Sequence, residues 1–170
     1  IARGFEIFIA DIISSGEITI IQLKIKENLM IPDNHINAAE ELTDILIKQK
    51  PHLKDFFLNN LTGYKNDIAN IKKTIKKQLT LLYNKNVLCS YMNQDFVKWA
   101  GANVIAVFPR DEDISLKTLS SLIKDSRDNN PLLVIENLQS SGKVGKTIAA
   151  ELNIPHVILS NFPENDDYIT

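Results

Sequence analysis

Cysteine is almost absent from these 170 residues. Cys89 is the only one, so no disulfide framework can form within the chain. A single thiol fits a reducing or an oxidising compartment equally. Positive charge is not in excess either: 19 Lys and Arg stand against 21 Asp and Glu, a formal charge of −2. That balance argues against a basic nucleic-acid-binding surface. No apolar run approaches the roughly 20 residues of a membrane span; the uncharged stretch 99–109 is far short. Nor does a charged-then-apolar leader open the chain. Residue 1 is Ile, and the expectation is that it marks the edge of a mature or trimmed fragment. What is present is apolar: 44% hydrophobic residues against 24% charged. That excludes disorder as the main state and suffices for one packed domain, or one domain plus part of another.

The first half reads as mixed, then helical. Residues 4–9 lead into a short helix around Asp11, Ile12 and Ile13, and Ser14, Ser15 and Gly16 make a turn. The β-branched stretch 18–23 reads as a strand, and 28–34, with Pro32, as a loop. A helix is predicted over 37–48. Asn37 is its N-cap, Glu40 the reciprocal partner, and Ala38, Ala39, Leu42, Ile45 and Leu46 form one face. Pro51 ends it, lacking the amide that would continue the ladder. A long helix over 51–82 follows, with Phe57, Leu61, Tyr64, Ile68, Ile71, Ile75, Leu79 and Leu82 spaced by three or four. At 1.5 Å per residue it spans about 45 Å. Gly63 weakens it by about 1 kcal/mol and marks a bend. Lys72, Lys73, Lys76 and Lys77 fall opposite, and read as a solvated face rather than a phosphate-binding stripe.

From residue 85 the pattern becomes regular. Short apolar strands are predicted over 86–90, 103–108, 131–136 and 155–159, and helices over 94–100, 115–125 and 142–152. Leu116, Leu119 and Ile123 point inward from the second of these helices, capped by Asp113 or Ser115. Continuous apolar strands alternating with helices imply burial on both faces. The fold class is therefore α/β: an open four-stranded parallel sheet flanked by helices, preceded by the long helix and part of another lobe.

Ligands of open parallel sheets sit beyond the carboxyl ends of the strands. That rule selects Ser90, Tyr91, Met92 and Asn93; Pro109, Arg110 and Asp111; Glu136 and Asn137; and Ser160, Asn161 and Phe162. Such a cleft is mostly neutral, rich in hydroxyls and amides, with Arg110 and Glu136 as its charges. The stretch 140–147 nearly fits a phosphate-cradling loop, but Ser140 replaces the leading glycine, and no later strand ends in a metal-orienting Asp. An exposed turn before a helix is the plainer reading. The histidines His35, His52 and His156 show no i, i+3 or i, i+4 pairing. His156 reads as a hydrogen-bonded core residue and His52 as solvent-facing, leaving His35 as the candidate metal ligand. Cys89 and Trp99 read as packing residues. No nucleophile elbow or catalytic carboxylate pair is present.

The order of parts resembles the TroA-like metal-receptor family of ABC importers, the zinc- and manganese-binding extracytoplasmic solute-binding proteins. The resemblance rests on Gly4, Phe5 and Glu6; on Ile31, Pro32, Asp33, Asn34 and His35; on Asn37, Ala38 and Ala39; and on Lys50 and Pro51 with the pattern after them. It continues through Phe108 and Pro109 to Ser115 and Leu116, then Leu133, Val134, Ile135 and Glu136, and finally Tyr168. It implies two α/β lobes joined by a rigid helix: 1–50 as the remainder of the amino-terminal lobe, 51–84 as the linking helix, and 85–170 as the carboxyl-terminal lobe. The start of the first lobe, with a metal histidine of its own, is then expected to lie outside this sequence. The resemblance further implies a non-catalytic, monomeric receptor outside the cytoplasm that hands zinc or manganese to a membrane permease and binds no nucleic acid. His35 is its matched ligand. The chain departs from the pattern at the other positions: the histidine or glutamate after the first strand falls at Ser90, and the final aspartate falls at Ser160, beside Asn161. Three other readings stand beside it. One is a softer site of Cys89, Met92 and His35; one is an anionic cargo held by Arg110; one is a degenerate receptor for a partner protein. A phosphate- or nucleotide-using enzyme built on 140–147 is the alternative from another class.

Overall fold

The computed structural model describes residues 23–24 and 28–162. The expectations for residues 4–22 and for Tyr168 lie outside the described residues.

Helix α1 runs Pro32–Gln49, five residues earlier than the capping pattern at Asn37 indicated. The proline decides this. Ile31 is held extended at φ −80°, ψ 119°, as the residue before a proline must be, and Pro32 at the first helical position needs no amide partner. His35 therefore stands in the first turns of a helix, not in a loop. Glu40 caps nothing and instead pairs with Lys65. Lys50 leaves the helical region at φ −134° before Pro51. After a 3₁₀ turn at Pro51–Leu53, helix α2 runs Lys54–Gln78, about 37 Å long, and ends in a second 3₁₀ turn at Leu79–Leu82. Gly63 lies inside α2 and breaks nothing. The pairs Asp33–Lys72 and Glu40–Lys65 show α1 and α2 packed antiparallel.

Four parallel strands follow: β1 (Asn86–Ser90), β2 (Asn103–Phe108), β3 (Leu133–Asn137) and β4 (His156–Leu159). Their spatial order is β2-β1-β3-β4, with Cys89 paired to Val107 on one side and to Ile135 on the other. The crossovers are α3 (Gln94–Trp99), α4 (Leu116–Arg127) and α5 (Lys143–Leu152). Leu88, Phe108 and Val134 pack against Val144 and Ile148 of α5 and Leu119 and Ile123 of α4. Val87, Cys89 and Ile135 face the other way, onto Val97 of α3. Helices thus cover both faces of the sheet.

Two expectations about burial need correction. The central strands β1 and β3 are buried from their second residue onward; edge strand β4 exposes Val157 and Ile158, because it has a neighbour on one side only. Leu116 does not point inward. It is 84% exposed, since it opens α4 directly after the Ser115 cap, whose side chain accepts the Thr118 amide.

Asp33 joins the helical pair to the sheet. One carboxylate oxygen accepts from Lys72 Nζ at 2.5 Å and the other from Trp99 Nε1 at 3.2 Å. The Lys76 ammonium sits 5.0 Å from the centre of the Trp99 ring, and Phe96 stacks with that ring at 5.7 Å between centres. Trp99 is a junction residue rather than simple core, and part of the lysine face is engaged. The Lys72 hydrogen bond holds the Asp33 carboxyl below its ordinary pKa.

These packing assignments predict opposite outcomes for two leucines in denaturant unfolding. Leu88→Ala, at a fully buried position, should cost about 2–5 kcal/mol. Leu116→Ala should stay within about 0.5 kcal/mol of the parent.

Candidate functional site

The crossover from β1 moves one way to β2, and the next returns past β1 to β3. The carboxyl ends of β1 and β3 therefore flank the point where the winding reverses, which is where open sheets form their crevice. Ser90 ends β1, fully buried, and its hydroxyl accepts the Met92 amide at 3.4 Å. Tyr91 stands out at the rim, 69% exposed. Asn93 is buried, and its Nδ2 donates to Asn161 Oδ1 at 2.9 Å. Asn161 Nδ2 in turn reaches the Met92 carbonyl at 3.5 Å. Beyond β3, Asn137 Oδ1 accepts the Gln139 amide at 2.7 Å. The Gln139 side chain donates to Ser160 Oγ at 3.1 Å and accepts from the Asn161 amide at 3.3 Å. Ser90, Ser160 and Asn161 thus belong to one network of hydroxyls and carboxamides.

Asn93, Asn137, Gln139 and Asn28 complete that network. Asn28 Nδ2 donates to the Met92 carbonyl at 3.1 Å, bringing the segment before α1 onto the strand ends. Asn93 Oδ1 and Asn137 Nδ2 are buried and have no hydrogen-bond partner among the described residues. Their amide orientations follow from the bonds on the opposite atoms.

The two expected charges lie elsewhere. Strand parity puts Glu136 on the same face as Val134, beneath α5, where it is 1% exposed. Its carboxylate accepts from His156 Nε2 at 2.9 Å and from the Gly145 amide. Burial raises its pKa above the ordinary value, and the His156 hydrogen bond offsets part of that. Arg110 is exposed at the end of β2. Three strand spacings, about 14 Å, separate β2 from β4, so Arg110 is remote from Ser160 and Asn161.

The same corner disposes of the phosphate-loop reading. The amides of the first turn of α5 would have to face an anion. Instead Asp111 Oδ1 accepts the Val144 amide at 3.2 Å, Glu136 accepts the Gly145 amide, and Ser141 Oγ accepts the Lys143 amide at 3.4 Å. Two carboxylates occupy the place a phosphate would need.

Metal ligation fares no better on the residues described. His35 lies between α1 and α2, its Nδ1 3.1 Å from the Tyr64 hydroxyl, and its ring also bonds the Leu29 backbone. Burial lowers its pKa. Cys89 is sealed among Val87, Val97 and Ile135, and burial pushes its thiol up to about 12. It therefore offers no thiolate to a soft ion, and the set Cys89, Met92 and His35 does not fit one. Among the described residues no three His, Cys, Asp or Glu side chains come together as a metal-holding group. Transition dications need three or four imidazole, carboxylate or thiolate donors, and the neutral strand-end set does not fit that requirement.

Two measurements check this geometry. A methyl group on Gly145 would meet the Glu136 carboxyl carbon at 2.9 Å and His156 Nε2 at 3.0 Å, so Gly145→Ala should lower unfolding stability by about 1–3 kcal/mol. The second concerns pH. The folded chain holds His35 below its ordinary pKa of 6.5, so the unfolded state binds the proton more readily. Stability should fall as pH drops from about 6.5 toward the folded value. Melting temperatures measured between neutral and mildly acid pH should show a shallower slope in His35→Gln.

Residues 29–170 match the model of the family described as zinc-uptake complex component A, periplasmic. No curated protein matches the chain. The crystal structure of ZnuA has a TM-score of 0.66 at 19% identity, over 88% of this chain and 61% of that one. A cadmium-bound periplasmic metal-binding protein from Candidatus Liberibacter asiaticus gives 0.67 at 16% identity, over 82% and 55%. A manganese-bound mutant of a periplasmic metal-binding protein from the same organism gives 0.67 at 16%, over 89% and 61%. At these identities the structural likeness is one of fold, and this chain spans about three-fifths of their length. The family match covers most of the sequence, and the chain belongs to the ZnuA family of periplasmic zinc-uptake components.

Proposed function

We propose that this chain is the larger part of a non-catalytic, monomeric receptor of an ABC importer, acting outside the cytoplasm and delivering its cargo to a membrane permease. The observation that carries the reading is the polar network at the winding reversal of the sheet, faced by the segment before α1. Family membership gives that network its context. The division expected from sequence fits the reading: 1–50 as the remainder of the first lobe, 51–84 as the stiff connection, and 85–170 as the second lobe. Helix α2 is held against α1 by ion pairs, which favours small closing motions over large ones. No helix among the described residues is long and apolar enough to cross a membrane, in keeping with a receptor that meets its permease at the surface.

Cargo is proposed to contact Ser90, Tyr91, Ser160 and Asn161. The similar structures include metal-bound receptors, and His35 is the histidine that the family resemblance matches to a ligand position; the strand-end groups themselves supply neither a charge nor an imidazole. The occupied first turn of α5 weighs against the nucleotide-using enzyme.

The test is reconstitution of the cognate permease and its ATPase in proteoliposomes. Added protein should stimulate ATP hydrolysis several-fold. Tyr91→Ala, at an exposed rim position, should reduce that stimulation while leaving the melting temperature unchanged. Absence of stimulation by the parent protein would overturn the receptor reading.

A further inference from the structure

The segment before α1 is organised by its own carboxamides. Asn28 Oδ1 accepts the Met30 amide at 2.8 Å, and the buried Asn34 donates to the Asn28 carbonyl at 2.8 Å. Asn28 Nδ2 then crosses to the Met92 carbonyl at 3.1 Å. That carbonyl also receives Asn161 Nδ2 at 3.5 Å, and Asn161 Oδ1 accepts from Asn93 at 2.9 Å. Asn93 Nδ2 further approaches Met30 Sδ at 4.0 Å. Three segments far apart in sequence, around residues 28–34, 90–93 and 161, are thus stitched together by neutral groups. In a receptor that closes on a metal, donors from both sides of the cleft meet at the ion. Here they meet one another.

We infer that Asn28, Asn93 and Asn161 hold this cleft closed without a metal ion, and that the site rejects free transition-metal dications as cargo. The inference rests on the receptor reading and narrows its cargo. A dication leaving water needs negative or imidazole donors to replace its hydration. Apart from the buried Asn93 Oδ1, the carboxamide and hydroxyl oxygens of the network are already engaged with protein donors. The nearest carboxylate in sequence to the β3 end, Glu136, is committed on the other face of the sheet to His156 and Gly145. The cargo that such a lining favours is an uncharged solute that exchanges hydrogen bonds with carboxamides and hydroxyls.

Amide hydrogen exchange separates the outcomes. Protection of residues 28–35 should be the same in EDTA and in stoichiometric zinc chloride or manganese chloride. Asn28→Ala and Asn161→Ala should each speed exchange there about tenfold, the scale of one lost hydrogen bond. Amides of β3 should keep their protection, showing that the fold is intact. Zinc-induced protection of 28–35, or calorimetric zinc binding that disappears in His35→Ala, would overturn the inference and leave the receptor reading standing. Unchanged exchange in both asparagine variants would overturn it as well. Failure of the receptor reading shows separately, as absent stimulation of the permease.

Discussion

The structure depends on β1 being hydrogen-bonded along both edges, to β2 and to β3. This strand is paired on both sides and covered on both faces, and Val87, Leu88 and Cys89 fill its middle with apolar side chains. The first place where polarity can return is the residue that leaves the sheet, Ser90. Because the chain winds outward from β1 in both directions, that exit lies beside the exit of β3. Everything polar in the cleft follows from this placement: the Tyr91–Asn93 turn, Asn137 after it in space, and Asn161 reaching over from β4. Helix α3 starts at once from the same turn, and Asp33 anchors to its far end, so the helical pair is seated by the geometry that makes the crevice.

Much of this was legible in the residues. Continuous apolar runs separated by helices imply parallel strands, and the four strands lie within a residue or two of their predicted positions. The long amphipathic run after Pro51 does form a helix, with 3₁₀ turns at its ends. The start of α1 was missed because two signals competed. Asn37 has the chemistry of a cap, but Pro32 fixes its own backbone and that of Ile31, and a fixed backbone outweighs a side-chain hydrogen bond. Leu116 was misjudged because periodicity gives spacing but not phase at the first residue of a helix.

The site was legible by location and not by partner. The rule for strand ends found Ser90, Ser160 and Asn161, which the network does include. It also returned Arg110 and Glu136, which the structure places elsewhere. Parity ties Glu136 to Val134 from sequence alone, but which helix covers that face depends on the strand order, and no local pattern encodes it. The same rule selected Asn93 and Asn137, but Asn28 was invisible: its role exists only once residues 64 positions apart are neighbours. The residue type carried the one usable hint, since a buried asparagine needs partners. The phosphate-loop resemblance fails on the same kind of fact, because the amides it relies on are taken by carboxylates distant in sequence.

The indole at position 99 has a consequence of its own. It is the sole tryptophan in the chain, and it lies where an acid from α1, an ammonium from α2 and a phenyl ring from its own helix converge. Its emission is therefore a built-in optical gauge of how the two-helix buttress sits on the sheet. Any loosening of that seat would change the polarity and quenching around a single fluorophore, with no label added.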